Sequence, residues 1–281
     1  QGGPDSGGYY WAMSDQEPTL GYEWIDISET AIQLEFSGND VFASQDIDLF
    51  FDFPFYGESY SYLQVNANGW VGWDSENETA WENGSIPSAD MPRPAIFAFF
   101  DDLNPNNNNG SSSSSGDIYY HTNDNRIVIW YDNVVRWGGS LGEGIYNFQL
   151  VLYSDGRIRC NYAEISGVSN AATIGWQNAS GTEGTQLSSE GDAFAISGLS
   201  WEAKTYTDED IPWLALSTDN GTLDGSVYGN QSVNLYVQAL AMGLEEGNYN
   251  ALINILSTDL TPVTVPVSMV VNGFDSIPRL P

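Results

Sequence analysis

The sequence predicts an all-β protein built from two antiparallel β-sandwich domains, and three observations carry that expectation. Apolar residues recur at every second position rather than at the i, i+3, i+4 spacing of an amphipathic helix. Gly, Asn, Ser and Thr are dense, with 29 glycines, while lysine is nearly missing. Compact turn sequences separate the apolar runs: Asn68-Gly69, Asn123-Asp124-Asn125 and Ser154-Asp155-Gly156. Gly, Asn and Asp are the residues that accept the backbone angles of tight hairpin turns.

The elements follow in order along the chain. Residues 1–30 open on Gln1-Gly2-Gly3-Pro4-Asp5-Ser6-Gly7-Gly8 and read as a Gly- and aromatic-rich N-terminal arm. Strands are expected at 31–36, 47–53, 62–65, 95–100, 117–121, 126–130, 146–153, 158–165 and 172–177, segments rich in apolar, aromatic and β-branched residues. The turn at 123–125 joins two of these into a hairpin, and Asp155-Gly156 joins two more. Consecutive antiparallel strands with short turns imply a sandwich, assigned to 31–203. Periodicity then stops in the polar, acidic stretch 204–211, expected to be a linker. A smaller β-sandwich is expected over 212–273, from apolar runs at 213–217, 233–237, 249–256 and 263–271. Alternation there puts Val233, Leu235 and Val237 on one face. The tail 274–281, with Pro278 and Pro281, should be extended.

Charge excludes one large class of function. Of 281 residues, 38 are Asp or Glu and only 7 are Lys or Arg, a net charge of −31 with charged residues at 16%. About 25% is usual, so the anomaly is missing base rather than excess acid. Nucleic-acid affinity is built from several Lys/Arg contacts and counterion release, so nucleic-acid binding is excluded. Hydrophobic residues at 41% and aromatics at 14% supply enough apolar surface for a sizeable core, unlike a disordered acidic tail. One cysteine, Cys160, rules out an intramolecular disulfide and any zinc site of several thiolates. No apolar run approaches the roughly 18 residues of a membrane span. A chain starting at Gln1 is expected to be a processed mature form.

Six segments, in order, resemble the nidogen-like β domain of plexin-domain-containing proteins and of many secreted bacterial proteins. They are Phe53-Pro54-Phe55-Tyr56-Gly57, Val65-Asn66-Ala67-Asn68-Gly69-Trp70-Val71, 95–103 ending in Asp101-Asp102-Leu103, 126–130, 148–158, and Thr173-Ile174-Gly175-Trp176-Gln177-Asn178 followed by Gly181-Thr182. The resemblance covers about 46–186 and implies an extracellular interaction or adhesion module without catalysis. From about 212 to 272, Trp213-Leu214, Gly247-Asn248-Tyr249, Ile253-Asn254-Ile255 and Val265-Pro266-Val267 resemble a BACON-type immunoglobulin-like domain. Such domains serve as spacers, carbohydrate-binding accessories or assembly units.

Candidate chemistry is sparse. Asp101, Asp102 and Asn104 follow an apolar strand and open an amide-rich loop, so they are the candidate ligands of a Ca²⁺ ion, which takes six to eight oxygens. The spacing is not that of an EF-hand: counting from Asp102, position 6 is Asn107 rather than Gly and position 12 is Ser113 rather than Glu. The alternative is a solvated loop whose paired aspartates bond backbone N–H groups. Gly138-Gly139-Ser140-Leu141-Gly142 fits the hydrolase pattern G-x-S-x-G, but that motif needs a helix after it and a histidine partner. Here 146–153 reads as a strand and the one histidine, His121, stands beside a tight turn. The chain is therefore expected not to be an enzyme. Six Asn-x-Ser/Thr sites, at Asn77, Asn83, Asn109, Asn178, Asn220 and Asn230, arise easily by chance in so Asn- and Ser-rich a sequence.

Tyr9, Tyr10, Trp11, Trp70, Trp73, Trp81 and Trp137 lie in or beside Gly- and Asn-rich stretches, where aromatics mark sugar stacking or a protein interface. Tyr9 to Met13 is expected to dock on a neighbouring domain or subunit. The leading functional expectation is a secreted structural protein that self-assembles as a homo-oligomer or homopolymer into a filament, tube or surface layer. The alternative is a carbohydrate-binding or surface adhesin module. With so few bases, contacts between copies should rest on aromatic packing, backbone pairing and metal bridges, and assembly should need saline or calcium-containing surroundings.

Overall fold

The computed structural model describes residues 2–17, 20–105, 115–138, 144–188, 194–205, 214–218, 235–239, 247–255 and 263–271. It divides into two units, Gln1–Thr205 and Tyr206–Pro281. Every strand pairing described is antiparallel, and the all-β expectation holds.

In the first unit the strands are β1 (Tyr9–Met13), β2 (Ile32–Gln33), β3 (Ile47–Phe55), β4 (Glu58–Asn66), β5 (Trp70–Glu76), β6 (Arg93–Phe100), β7 (Asp117–Asn123), β8 (Arg126–Val134), β9 (Tyr146–Tyr153), β10 (Ile158–Ile165), β11 (Thr173–Gln177), β12 (Gly184–Ser188) and β13 (Leu199–Thr205). They form a seven-stranded sheet, ordered β1-β13-β10-β9-β8-β7-β2, and a six-stranded sheet, ordered β12-β11-β6-β5-β4-β3. One core lies between the sheets. Alternate residues of β8, β9 and β10, among them Ile127, Ile129, Phe148, Leu150, Ile158 and Cys160, meet Phe53, Leu63, Val65, Val71, Ile96 and Trp176 from the other sheet. This is period-two burial read directly from the sequence.

The outer faces are covered as well. Segment 20–31 crosses the outside of the seven-stranded sheet, burying Ile25 and Ile27 against Val128 and Val151. It is held there by Gln149, whose amide nitrogen Nε2 donates to the Ile25 carbonyl at 2.7 Å while its Oε1 accepts the Ile25 N–H at 3.2 Å. Outside the six-stranded sheet, Ile86 and Met91 cover Trp70, Phe97 and Phe100. A sheet buried on both faces needs apolar residues at successive positions, which is why β6 reads as an unbroken run.

Several boundaries differ from expectation. The arm 1–30 is not a separate piece: β1 is the edge strand of the seven-stranded sheet, in register with β13 from Tyr9 opposite Thr205 to Met13 opposite Trp201. Docking of Tyr9–Met13 is therefore made within its own chain. The expected strand 31–36 shrinks to β2. Lys204 and Thr205, expected in the linker, belong to β13; residues 206–211 and the tail 274–281 lie outside the described residues. In the second unit β14 (Leu214–Thr218) pairs with β15 (Leu235–Ala239), and β16 (Gly247–Ile255) with β17 (Val263–Val271). Val233 lies outside the described residues.

Candidate functional site

One end of the first unit gathers loops distant in sequence around Asn68, which is fully buried. The chain reaches Asn68 from β4 and leaves through Gly69, whose φ is +82° and where a Cβ would stand 2.0 Å from the Phe99 carbonyl oxygen. Only glycine permits that approach, and the Gly69 carbonyl accepts the N–H groups of both Ala98 and Phe99. So held, Asn68 bonds in several directions. Its Oδ1 accepts the Leu103 N–H at 2.9 Å, its Nδ2 donates to Asp40 Oδ1 at 3.0 Å and to the Ala80 carbonyl at 3.4 Å, and its own carbonyl accepts the Asp101 N–H at 3.3 Å. The segments at 39–40, 80–81 and 101–104 thus share one anchor.

A fourth segment closes the group. The Asn104 N–H donates to the Val135 carbonyl at 2.9 Å, and the Trp137 N–H donates to the Asp102 carbonyl at 2.7 Å. Arg136 Nη2 donates to Asp101 Oδ1 at 2.9 Å. Asp101 is almost wholly buried, and burial raises its carboxyl above the ordinary value against the opposing pull of Arg136. Asp102 is raised to about 6, first by burial, then by the negative charges of Asp40 and Asp101; Arg136 and a hydrogen bond from Asn39 act the other way. These are carboxylates pressed together in a poorly solvated place.

The structure therefore brings Asp101, Asp102, Asn104 and Trp137 together, with Trp81 attached through Ala80. Trp81 and Trp137 are 51% and 44% exposed. Trp70 and Trp73 are not surface residues. Trp70 is fully buried on the outer side of its sheet, and Trp73 stacks on Phe53 and Tyr60 in the core. Both were expected at an interface because of their Gly-rich neighbours, but those glycines serve close backbone packing. Tyr9 is also core, packed on Phe55, Tyr56 and Trp176, while Tyr10 and Trp11 are half-buried on β1 and Trp11 meets Phe194 edge-on.

Among the described residues, no three His, Cys, Asp or Glu side chains form a ready-made metal cage. His121 is half-buried on β7 opposite Val128; residues 139–142 of the G-x-S-x-G segment lie outside the described residues. Sequence reasoning missed Asp40, Asn68 and Arg136. Asn68-Gly69 carried a signal as a turn, but nothing in the linear order marks Asp40 or Arg136 as its neighbours.

Fold and site together define a two-sheet β-sandwich domain with one polar, aromatic-flanked loop end. The family model described as NIDO related matches residues 17–210, well over half of the chain, and the chain belongs to that nidogen-related family. Membership points to an extracellular β domain. No curated protein and no solved structure matches the chain. No helix among the described residues is long and apolar enough to cross a membrane.

Proposed function

We propose that this chain is a secreted, non-enzymatic binding module, a surface adhesin or carbohydrate-binding unit that works through the loop end around Asn68. One observation carries the reading: Trp81 and Trp137, 56 positions apart in sequence, are both about half exposed, and the backbone at Ala80 and at Trp137 bonds to Asn68 and Asp102 of the same buried group. Aromatic faces supply apolar contact for a sugar ring, and neighbouring carboxylate and amide groups bond its hydroxyls. Binding to a broad glycan array should fall by at least about tenfold in Trp81→Ala and Trp137→Ala. A flat array response from the folded wild type would sink the proposal. Trp70→Ala and Trp73→Ala would only damage the core.

A second reading, self-assembly into a filament, tube or surface layer, draws on a different place. β3 is the outermost strand of the six-stranded sheet, nine residues long, and its Phe50 is 66% exposed. Long edge strands invite pairing with a further chain. The N-terminal segment, by contrast, gives this reading no support, because its partners are in its own unit. Phe50→Lys should abolish any concentration-dependent sedimentation or filaments seen by negative-stain microscopy. A monomer at every concentration, with and without calcium, removes the reading. The immunoglobulin-like assignment of 212–273 remains part of this proposal; the two antiparallel strand pairs described there are compatible with it but do not single it out.

A further inference from the structure

Nine buried side-chain nitrogen or oxygen atoms among the described residues have no hydrogen-bond partner in the protein, and four of them fall within residues 101–104. They are Asp101 Oδ2, Asp102 Oδ1, and both Oδ1 and Nδ2 of Asn104. Asn104 is fully buried, so its amide is cut off from bulk water on every side. Leaving such atoms unpaired costs about 1–3 kcal/mol each, and native structures resolve such groups with an ion or an ordered water. The concentration of four in four consecutive residues is a property of this place rather than of the fold.

Chemistry selects the occupant. Three of the four atoms are oxygens, two of them carboxylate, which disfavours an anion. Asp102 feels the charge of Asp40 on the adjoining loop as well as that of Asp101, and among the described residues the cation paired with this group is Arg136, on Asp101 Oδ1. Three carboxylates against one guanidinium leave two negative charges, the complement of a divalent ion. With oxygen donors only and irregular spacing along the chain, the set suits Ca²⁺ better than Mg²⁺, which demands a near-ideal octahedron.

We propose that Asp101 Oδ2, Asp102 Oδ1 and Asn104 Oδ1 bind one calcium-type divalent cation at the loop end of the sandwich, with Asp40 supplying further charge. Arg136 keeps Asp101 oriented through its other oxygen. The ion would tie 101–104 to the loop at 39–40, locking the base on which Trp137 stands. This site stands whether or not the loop end binds glycan.

The test uses the full chain, stripped with chelator and held in enough NaCl to screen the diffuse charge of −31. Calorimetric titration with Ca²⁺ should show one saturable site per chain, and the melting temperature should rise with it. Tb³⁺ should bind in the same place, glow by energy transfer from the adjacent Trp137, and be displaced by Ca²⁺. Asp102→Asn and Asn104→Ala, checked for folding by circular dichroism, should each weaken binding by about tenfold or more. Should either fail to fold, Asp40→Asn, on a half-buried loop, replaces it. Absence of saturable binding in screened salt, or binding unchanged in the folded variants, overturns the proposal.

Discussion

At the residue scale, Gly69 and Asp102 show how local physics is spent on the loop end. Gly69 combines a positive φ with backbone contact, so Gly69→Ala should cost about 2–4 kcal/mol of stability in urea unfolding, a large effect for one methyl group; a loss under about 0.5 kcal/mol would show that the turn has another conformation. Asp102 lies at about 6 instead of the ordinary 3.8, so the folded state holds its proton more tightly than the unfolded chain does. Its unfavourable contribution is absent below about pH 4, grows between about 4 and 6, and is complete above that. In chelator, Asp102→Asn should be more stable than wild type at pH 7.5, and the gap should close by about pH 4. A gap that does not change with pH would contradict the account.

At the scale of elements, the N-terminal segment is a clasp. Asp5 Oδ2 accepts from Tyr56 Oη at 2.5 Å, Trp176 Nε1 at 2.9 Å and Thr185 Oγ1 at 3.2 Å, and its Oδ1 accepts the N–H groups of Gly7 and Tyr9. One carboxylate thus ties the chain before β1 to residues of the opposite sheet. Gly2 pairs back on Trp11 through two backbone hydrogen bonds at 3.0 Å, occupying part of the outer side of β1. That pairing blunts an edge that would otherwise recruit strands from other chains. Asp5→Ala should cost about 3 kcal/mol or more, because it leaves the buried Trp176 indole N–H without its acceptor. Differential scanning calorimetry checks this, and Tyr56→Phe should lose only part of that amount.

At the scale of the whole molecule, the charge of −31 opposes compaction through self-repulsion, and mobile ions screen it over about 10 Å at 0.1 M salt. The melting temperature should climb as NaCl is raised from about 0.05 to 1 M. A further rise with millimolar Ca²⁺ at fixed ionic strength should be lost in Asp102→Asn, which separates general screening from one bound ion. A melting temperature indifferent to salt would mean that the acids are spaced widely enough to ignore one another.

The sequence by itself determined the class of fold, because alternation and turn residues are local. Strands β9 and β10 carry their expected bounds, and the 123–125 turn stands between β7 and β8, with Asn123 Oδ1 accepting the N–H groups of Asn125 and Arg126. Half of the candidate site was equally legible: Asp101, Asp102 and Asn104 lie within four residues, on the exit of an unbroken apolar strand. Tertiary structure alone decided what a residue's Gly-rich surroundings mean. Trp70 and Trp81 look alike in the chain, yet one is sealed beneath Ile86 and Met91 and the other stands in solvent, since outer-face covering depends on a loop returning over the sheet. It also decided that Asp40, Asn68 and Arg136 meet Asp101 and Asp102. Charges and hydrogen bonds act through space over a few ångströms, and sequence separation carries no record of those distances.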